Sequence, residues 1–263
     1  MEYNLIDTLA HPTLTGKWLG RDIDCSFDKL SSDLDKSSFK KAFAIGMHGL
    51  DGYNHIEFIN KCNEYNNLIP IAGFDPTISS EKVRNEIKYI KDLGFKGIKI
   101  HPRFSNFDYD TQKLKNIFNQ AHLNDLLVFY CTYAHCSAPN YPEQDPFYAL
   151  ASAINFCPNV KLILVHGGDI NIMKYAELVR FNKNILLDLS LTLMKYKGSS
   201  IDNDLKFLFN NFDKKITIGT DYPEYTYQDV FKRVKKFCKG LSQEKIDNIC
   251  YKNICLLAGN LLY

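Results

Sequence analysis

The chain has 263 residues, 45% of them hydrophobic and 24% charged, and a formal net charge of +2. That much apolar content excludes disorder, and dispersed lysines near charge balance exclude a nucleic-acid stripe or a polybasic membrane patch. The opening MEYNLIDTLAH lacks the basic flank and apolar run of a signal peptide, no apolar segment is long enough to span a bilayer, and the eight cysteines form no CxxC pair, so a cytoplasmic protein with reduced thiols is expected.

Apolar strand-like runs recur roughly every thirty residues, with helix-patterned segments between them. The expected strands cover residues 3–9, 42–47, 69–74, 96–100, 126–132, 161–167, 184–190 and 215–220. In SSEKVRNEIKYIKDLG, Ser79 or Ser80 can cap a helix, Val83, Ile87 and Ile90 share a face, and Gly94 stops it. Strand–helix alternation implies parallel strands with crossover helices. Eight units fit a single (β/α)8 TIM-like barrel over residues 1–263, a fold that typically needs about 250 residues. No linker divides the chain, and DTLAHPTLTG after the first strand lacks the Gly-rich turn of an open dinucleotide-binding sheet.

A barrel places its chemistry just after the strands, and the polar residues obey. His11 follows the first strand, His48 and Asp51 the second, Asp75 the third, and His101 and Arg103 the fourth. Cys131 lies near the end of the fifth with His135 in the loop beyond; His166 ends the sixth, and Asp221 follows the last in KKITIGTDYPE, where Gly219 and Pro223 terminate the strand. His55 and His122 fall on helix-patterned segments and read as surface residues. Arg103 suits a carboxylate or phosphate. Lys17, Trp18 (the only tryptophan) and Arg21 sit in the long first loop, a candidate lid or substrate wall. His101, Arg103, His135 and Trp18 are the candidate substrate contacts.

The blocks GFKGIKIHP, KLILVHGGD, NILLDLS, ITIGTDYP and ICYKNICLLAGN, in that order, resemble the amidohydrolase superfamily, in particular the amidohydrolase-related branch of hydrolases and non-oxidative decarboxylases. The resemblance covers essentially the whole chain. It implies a β/α barrel with one divalent metal, zinc or manganese, at the carboxyl ends of the strands, and a small-molecule substrate; a homo-oligomer stays open. The family's D-x-H-x-H falls on Asp7-Thr8-Leu9-Ala10-His11, so His11 is kept and the first histidine is Leu9, which has no lone pair. The strand-5 histidine falls on Cys131, with His135 as a substitute from the loop. The implied metal ligands are therefore His11, Cys131, His166 and Asp221, all acceptable to zinc. Lys99 sits near the position where some dinuclear relatives carry a carboxylated lysine. By resemblance Asp221 takes a proton from a metal-activated water and His166 stabilises the oxyanion, in a hydrolase of a small amide, ester or lactone. The alternatives are a decarboxylase, or a metal-free member that keeps only the pocket.

Overall fold

The structure is a computed structural model and describes residues 3–50, 52–133 and 144–262. Among the described residues there are ten strands: β1 (Leu5–Ala10), β2 (Lys17–Trp18), β3 (Arg21–Asp24), β4 (Phe39–Ile45), β5 (Leu68–Phe74), β6 (Gly97–Ile100), β7 (Leu127–Cys131), β8 (Leu162–Val165), β9 (Ile185–Asp188) and β10 (Ile216–Thr217). All but β2 and β3 form one parallel sheet in the order β1-β4-β5-β6-β7-β8-β9-β10, the eight-unit barrel that the sequence pattern implies. Helices fill the connections. In Ser80–Asp92, Ser79 stands at the N-cap, Val83, Ile87 and Ile90 are buried, and Gly94 takes a positive φ of 100° just past the end, as an L side chain there would resist.

Alternation sorts the strand residues into two layers. Ala42, Ala44, Ile98, Ile100, Val128, Tyr130, Leu162 and Leu164 pack outward against the helices. Phe43, Ile45, Ile69, Ile71, Leu127, Phe129, Ile163 and Leu186 fill the interior, joined by Ile254, Leu257 and Leu261 from the C-terminal segment. That segment closes the amino-terminal end, where Asn253 Nδ2 donates to Ile216 O at 2.8 Å. In β1 the register shifts between Asp7 and Ala10, a bulge that re-phases the strand. Ile6 and Leu9 both join the interior while Ala10 faces out.

The barrel closes between β1 and the segment after β10. Thr8 N donates to Ile218 O at 3.1 Å, Asp221 N to Leu9 O at 2.9 Å and His11 N to Tyr222 O at 2.9 Å. Asp7, fully buried, ties this seam with its carboxylate: it accepts from Leu9 N (3.0 Å), Thr220 N (2.8 Å) and Thr220 Oγ1 (2.6 Å). Gly219 permits the approach, because a Cβ there would meet Asp188 Oδ2 at 2.8 Å and Leu9 Cβ at 2.9 Å.

Two sequence expectations change here. The first loop holds a β2–β3 hairpin, turned by Leu19 and Gly20 at positive φ, too short to show as strand periodicity. His55 is half-buried rather than a surface residue. It bonds Tyr53 OH at 2.6 Å and Glu86 Oε1 at 3.2 Å, and its ring packs on Phe95. Asp51 and His135 lie outside the described residues. Among the described residues no helix is long and apolar enough to cross a membrane.

The seam makes Asp7 a stability determinant. Asp7→Ala strands three buried donors, at about 1–3 kcal/mol each, so urea unfolding should show a loss of about 3 kcal/mol or more; a loss under about 1 kcal/mol would mean that closure is held elsewhere.

Candidate active site

The seam sets His11 and Asp221 side by side, with His11 Nε2 3.7 Å from Asp221 Oδ1. His11 Nδ1 lies 3.3 Å from Ile45 O. A carbonyl only accepts, so Nδ1 carries the proton and Nε2 turns a lone pair toward the carboxylate. Burial, followed by the nearby Lys99 charge, drives the His11 pKa down to about 3, so the ring is neutral and this contact is no ion pair. Asp221 is 7% exposed; burial raises its pKa to about 7 against the pull of Lys99. Its φ is 56°, a left-handed conformation held by its own N–H on Leu9 O and by Glu224 N, which donates to Asp221 O at 2.8 Å.

His166 leaves β8 at φ 67°, and Gly167, Gly168 and Asp169 continue at positive φ. Such a run is why glycines occupy its middle. Thr192 Oγ1 donates to His166 O at 2.7 Å, and Gly168 N to Thr132 Oγ1 at 2.7 Å. His166 Nδ1 faces Ser190 O (3.3 Å) and Ser190 Oγ (3.1 Å), and Ser190 Oγ spends its own proton on Asp188. Both partners accept, so Nδ1 is again the protonated nitrogen. Burial and then Lys99 hold this pKa well below the usual histidine value. A neutral ring in this tautomer offers a lone pair, whereas an oxyanion needs a donor. Asp188 anchors the support: fully buried, it also accepts from Thr8 Oγ1 at 2.5 Å. The sequence reading gave Asp188 no role, although an acid at the end of the apolar run NILLDLS was the available signal.

Lys99 points inward from β6, between Gly73 and Phe129 in register. It is 2% exposed, and among the described residues its Nζ has no hydrogen-bond partner. Burial pulls its pKa down while Cys131, Asp221 and Asp188 hold it up. Cys131 is buried at the end of β7, its thiol pushed up by burial and drawn back by Lys99 and Arg103. Arg103 lies over the rings of Phe104 (4.5 Å) and Tyr133 (4.9 Å), with a buried Nε that has no partner among the described residues. His101 caps the short helix Pro102–Ser105 through Phe104 N; burial and then Lys99 and Arg103 hold its pKa well below the usual value. Trp18, 4% exposed, stacks on His11 at 5.2 Å and donates from Nε1 to Glu224 Oε1 at 2.6 Å; Arg21 pairs with the same carboxylate. Its ring is thus engaged in fixing His11. His48 stands apart, exposed and 3.6 Å from Asp75.

A catalytic zinc needs three protein donors. Among the described residues no group of three or more His, Cys, Asp and Glu side chains is gathered to hold an ion. His11 and Asp221 approach one another, Leu9 removes the next donor along β1, and a lysine lies among the remainder. On these residues a metal does not fit.

The opposed pKa shifts have a measurable consequence. Between pH 4 and 6.5 the unfolded chain protonates His11, which the fold keeps neutral, and that makes stability rise with pH. Over the same window the fold retains the Asp221 proton that the unfolded chain releases, and that makes stability fall with pH. Asp221→Asn removes only the second contribution. Its unfolding free energy should therefore climb with pH more steeply than the wild type's by about 1.4 kcal/mol per unit, measured by urea unfolding at several pH values; parallel profiles would refute the raised Asp221 pKa.

The family model described as amidohydrolase matches residues 22–254. No functionally curated protein matches the sequence. Among solved structures the chain is similar to an uncharacterised TIM-barrel protein from Bordetella bronchiseptica, at 14% identity and a TM-score of 0.75 over 97% of this chain and 98% of that one. It is similar to a probable 2-pyrone-4,6-dicarboxylic acid hydrolase from Acinetobacter baumannii with citric acid bound (18% identity, TM-score 0.64, 97% and 99% covered). A third is 2,6-dihydroxybenzoate decarboxylase from Rhizobium (12% identity, TM-score 0.68, 97% and 98% covered). At these identities the structures establish the shared fold alone. The family match, spanning most of the length, shows that this chain belongs to the amidohydrolase family.

Proposed function

We propose that the barrel hydrolyses a small amide, ester or lactone, with Asp221 as the general base. The observation that carries this reading is the Asp221 carboxylate itself: buried at the end of the last strand, with a pKa of about 7, it is a far stronger base than an ordinary carboxylate and is still ionised at working pH. A water on Asp221 loses its proton to Oδ1 or Oδ2 as its oxygen attacks the carbonyl. Negative charge then grows on the carbonyl oxygen, and the cations of Lys99 and Arg103 are the donors available to it. His11 and His166, each with an unprotonated Nε2, accept hydrogen bonds from the water or from substrate hydroxyls and orient them. Arg103 also suits an anionic group on the substrate.

Non-oxidative decarboxylation is the second reading, favoured by the same pKa. Near neutrality part of Asp221 is protonated and can deliver that proton to the carbon left when carbon dioxide departs. The two roles have opposite pH dependence. A base must be ionised, so kcat/KM for hydrolysis should rise with pH through about 7; an acid must be protonated, so decarboxylation should fall through the same value. A panel of lactones, anilides and hydroxybenzoates, scored for hydrolysis and for carbon dioxide release, decides between them. Asp221→Asn should lower kcat/KM by about 10²–10⁴-fold and remove that limb of the profile. Turnover that survives the substitution with its pH profile intact would end the assignment.

A further inference from the structure

We infer that the Lys99 ammonium is the resident cation of this barrel, standing in the place where the family's fold carries a metal ion. The inference holds whichever of the two reactions the site performs.

Three observations meet on this side chain. Alternation along β6 is the first: Ile98 and Ile100 belong to the outer layer, so Lys99 projects from the strand into the interior, where its register neighbours are a glycine and a phenylalanine that offer no counter-charge. Second, its Nζ is buried and without a hydrogen-bond partner among the described residues, and a long cation held inside a protein without a partner is disfavoured by several kcal/mol unless the surroundings answer it. Third, part of that charge is answered by acidic groups, since Cys131, Asp221 and Asp188 favour the charged form of Lys99. The Lys99 charge acts on His11, Cys131, His166 and Asp221, the same four residues that the family pattern nominates as ligands. It acts on His101 as well, and Asp188 in turn acts on Lys99.

The donor arithmetic agrees. A divalent ion would be held by acceptors converging on one point; here His11 Nε2 and Asp221 Oδ1 converge, the first β1 ligand is the interior residue Leu9, and no third donor joins them among the described residues. A buried cation thus lies where the donor set among the described residues is incomplete. Carboxylation of Lys99, which would turn it into an anionic bridge between two ions, would need a donor set that is larger still.

Metal content and thermal unfolding test this without any substrate. Untagged protein from cells supplied with zinc and manganese should carry below about 0.1 metal ion per chain, and its Tm should move by less than about 1 °C on adding zinc or EDTA. Lys99→Glu places a carboxylate beside His11 and Asp221 and completes a three-donor set. That variant should take up close to one zinc ion per chain, with a Tm rise of about 5 °C that EDTA reverses. Wild-type protein holding about one or two ions per chain, whose removal lowers Tm, would overturn the inference. So would a folded Lys99→Glu that takes up no zinc. Should Lys99→Glu fail to fold, Lys99→Asp offers the third carboxylate on a shorter side chain and is read in the same way, and the metal content and EDTA response of the wild type decide on their own.

Discussion

The seam between the first and last strands is the constraint on which the site depends. Asp7 accepts two hydrogen bonds across it from Thr220 and a third from Leu9 N in its own strand, and the backbone bonds Asp221 N to Leu9 O and His11 N to Tyr222 O continue it to the carboxyl end. His11 and Asp221 therefore owe their 3.7 Å separation to main-chain pairing, with no need for a direct side-chain bond. Neither can move far unless the barrel opens. A buried carboxylate with three donors is stable only while all three remain, so the integrity of the sheet and the geometry of the site rest on the same atoms.

Two of the site residues, His166 and Asp221, hold left-handed backbone conformations, which disfavour an L side chain by about 1–2 kcal/mol each. Both are over-determined by neighbours: Thr192 on the His166 carbonyl, Leu9 and Glu224 around Asp221. Burial then sets their chemistry. Removed from water, the imidazoles shed their protons and the carboxylate weakens as an acid, so the site gathers lone pairs around one lysine.

Much of this was readable in the sequence. Eight apolar runs at regular spacing announced the barrel because a parallel strand is buried on both faces and must be apolar throughout, and the polar residues ending those runs fell where a barrel does chemistry. The same double burial hid the orientation of Lys99: in KGIKI the flanking isoleucines face helices, not the interior, and apolarity alone cannot say which face is which. The bulge between Asp7 and Ala10 was equally hidden, and without it Leu9 and Ile6 would lie on opposite faces of β1. Contacts such as Trp18 to Glu224 join the two ends of the chain and leave no local signal. The hairpin around Leu19 and Gly20 was missed because strands of two and four residues are too short to show a period.

An ammonium and a metal ion impose different demands on the groups around them. A divalent ion raises the acidity of its water, so an ordinary carboxylate suffices to take the proton. A lysine supplies charge and hydrogen bonds but leaves the water nearly as weak an acid as in bulk. On the proposed mechanism the base must then be stronger, and burial lifts the Asp221 pKa from 3.8 to about 7, about a thousandfold in proton affinity. Lys99 opposes that lift by favouring the carboxylate, so the two groups are balanced against each other. On the proposed reading, Leu9 at a ligand position of the family pattern, the inward lysine and the raised aspartate are mutually consistent: a site with fewer metal donors and an ammonium among them calls for a stronger base.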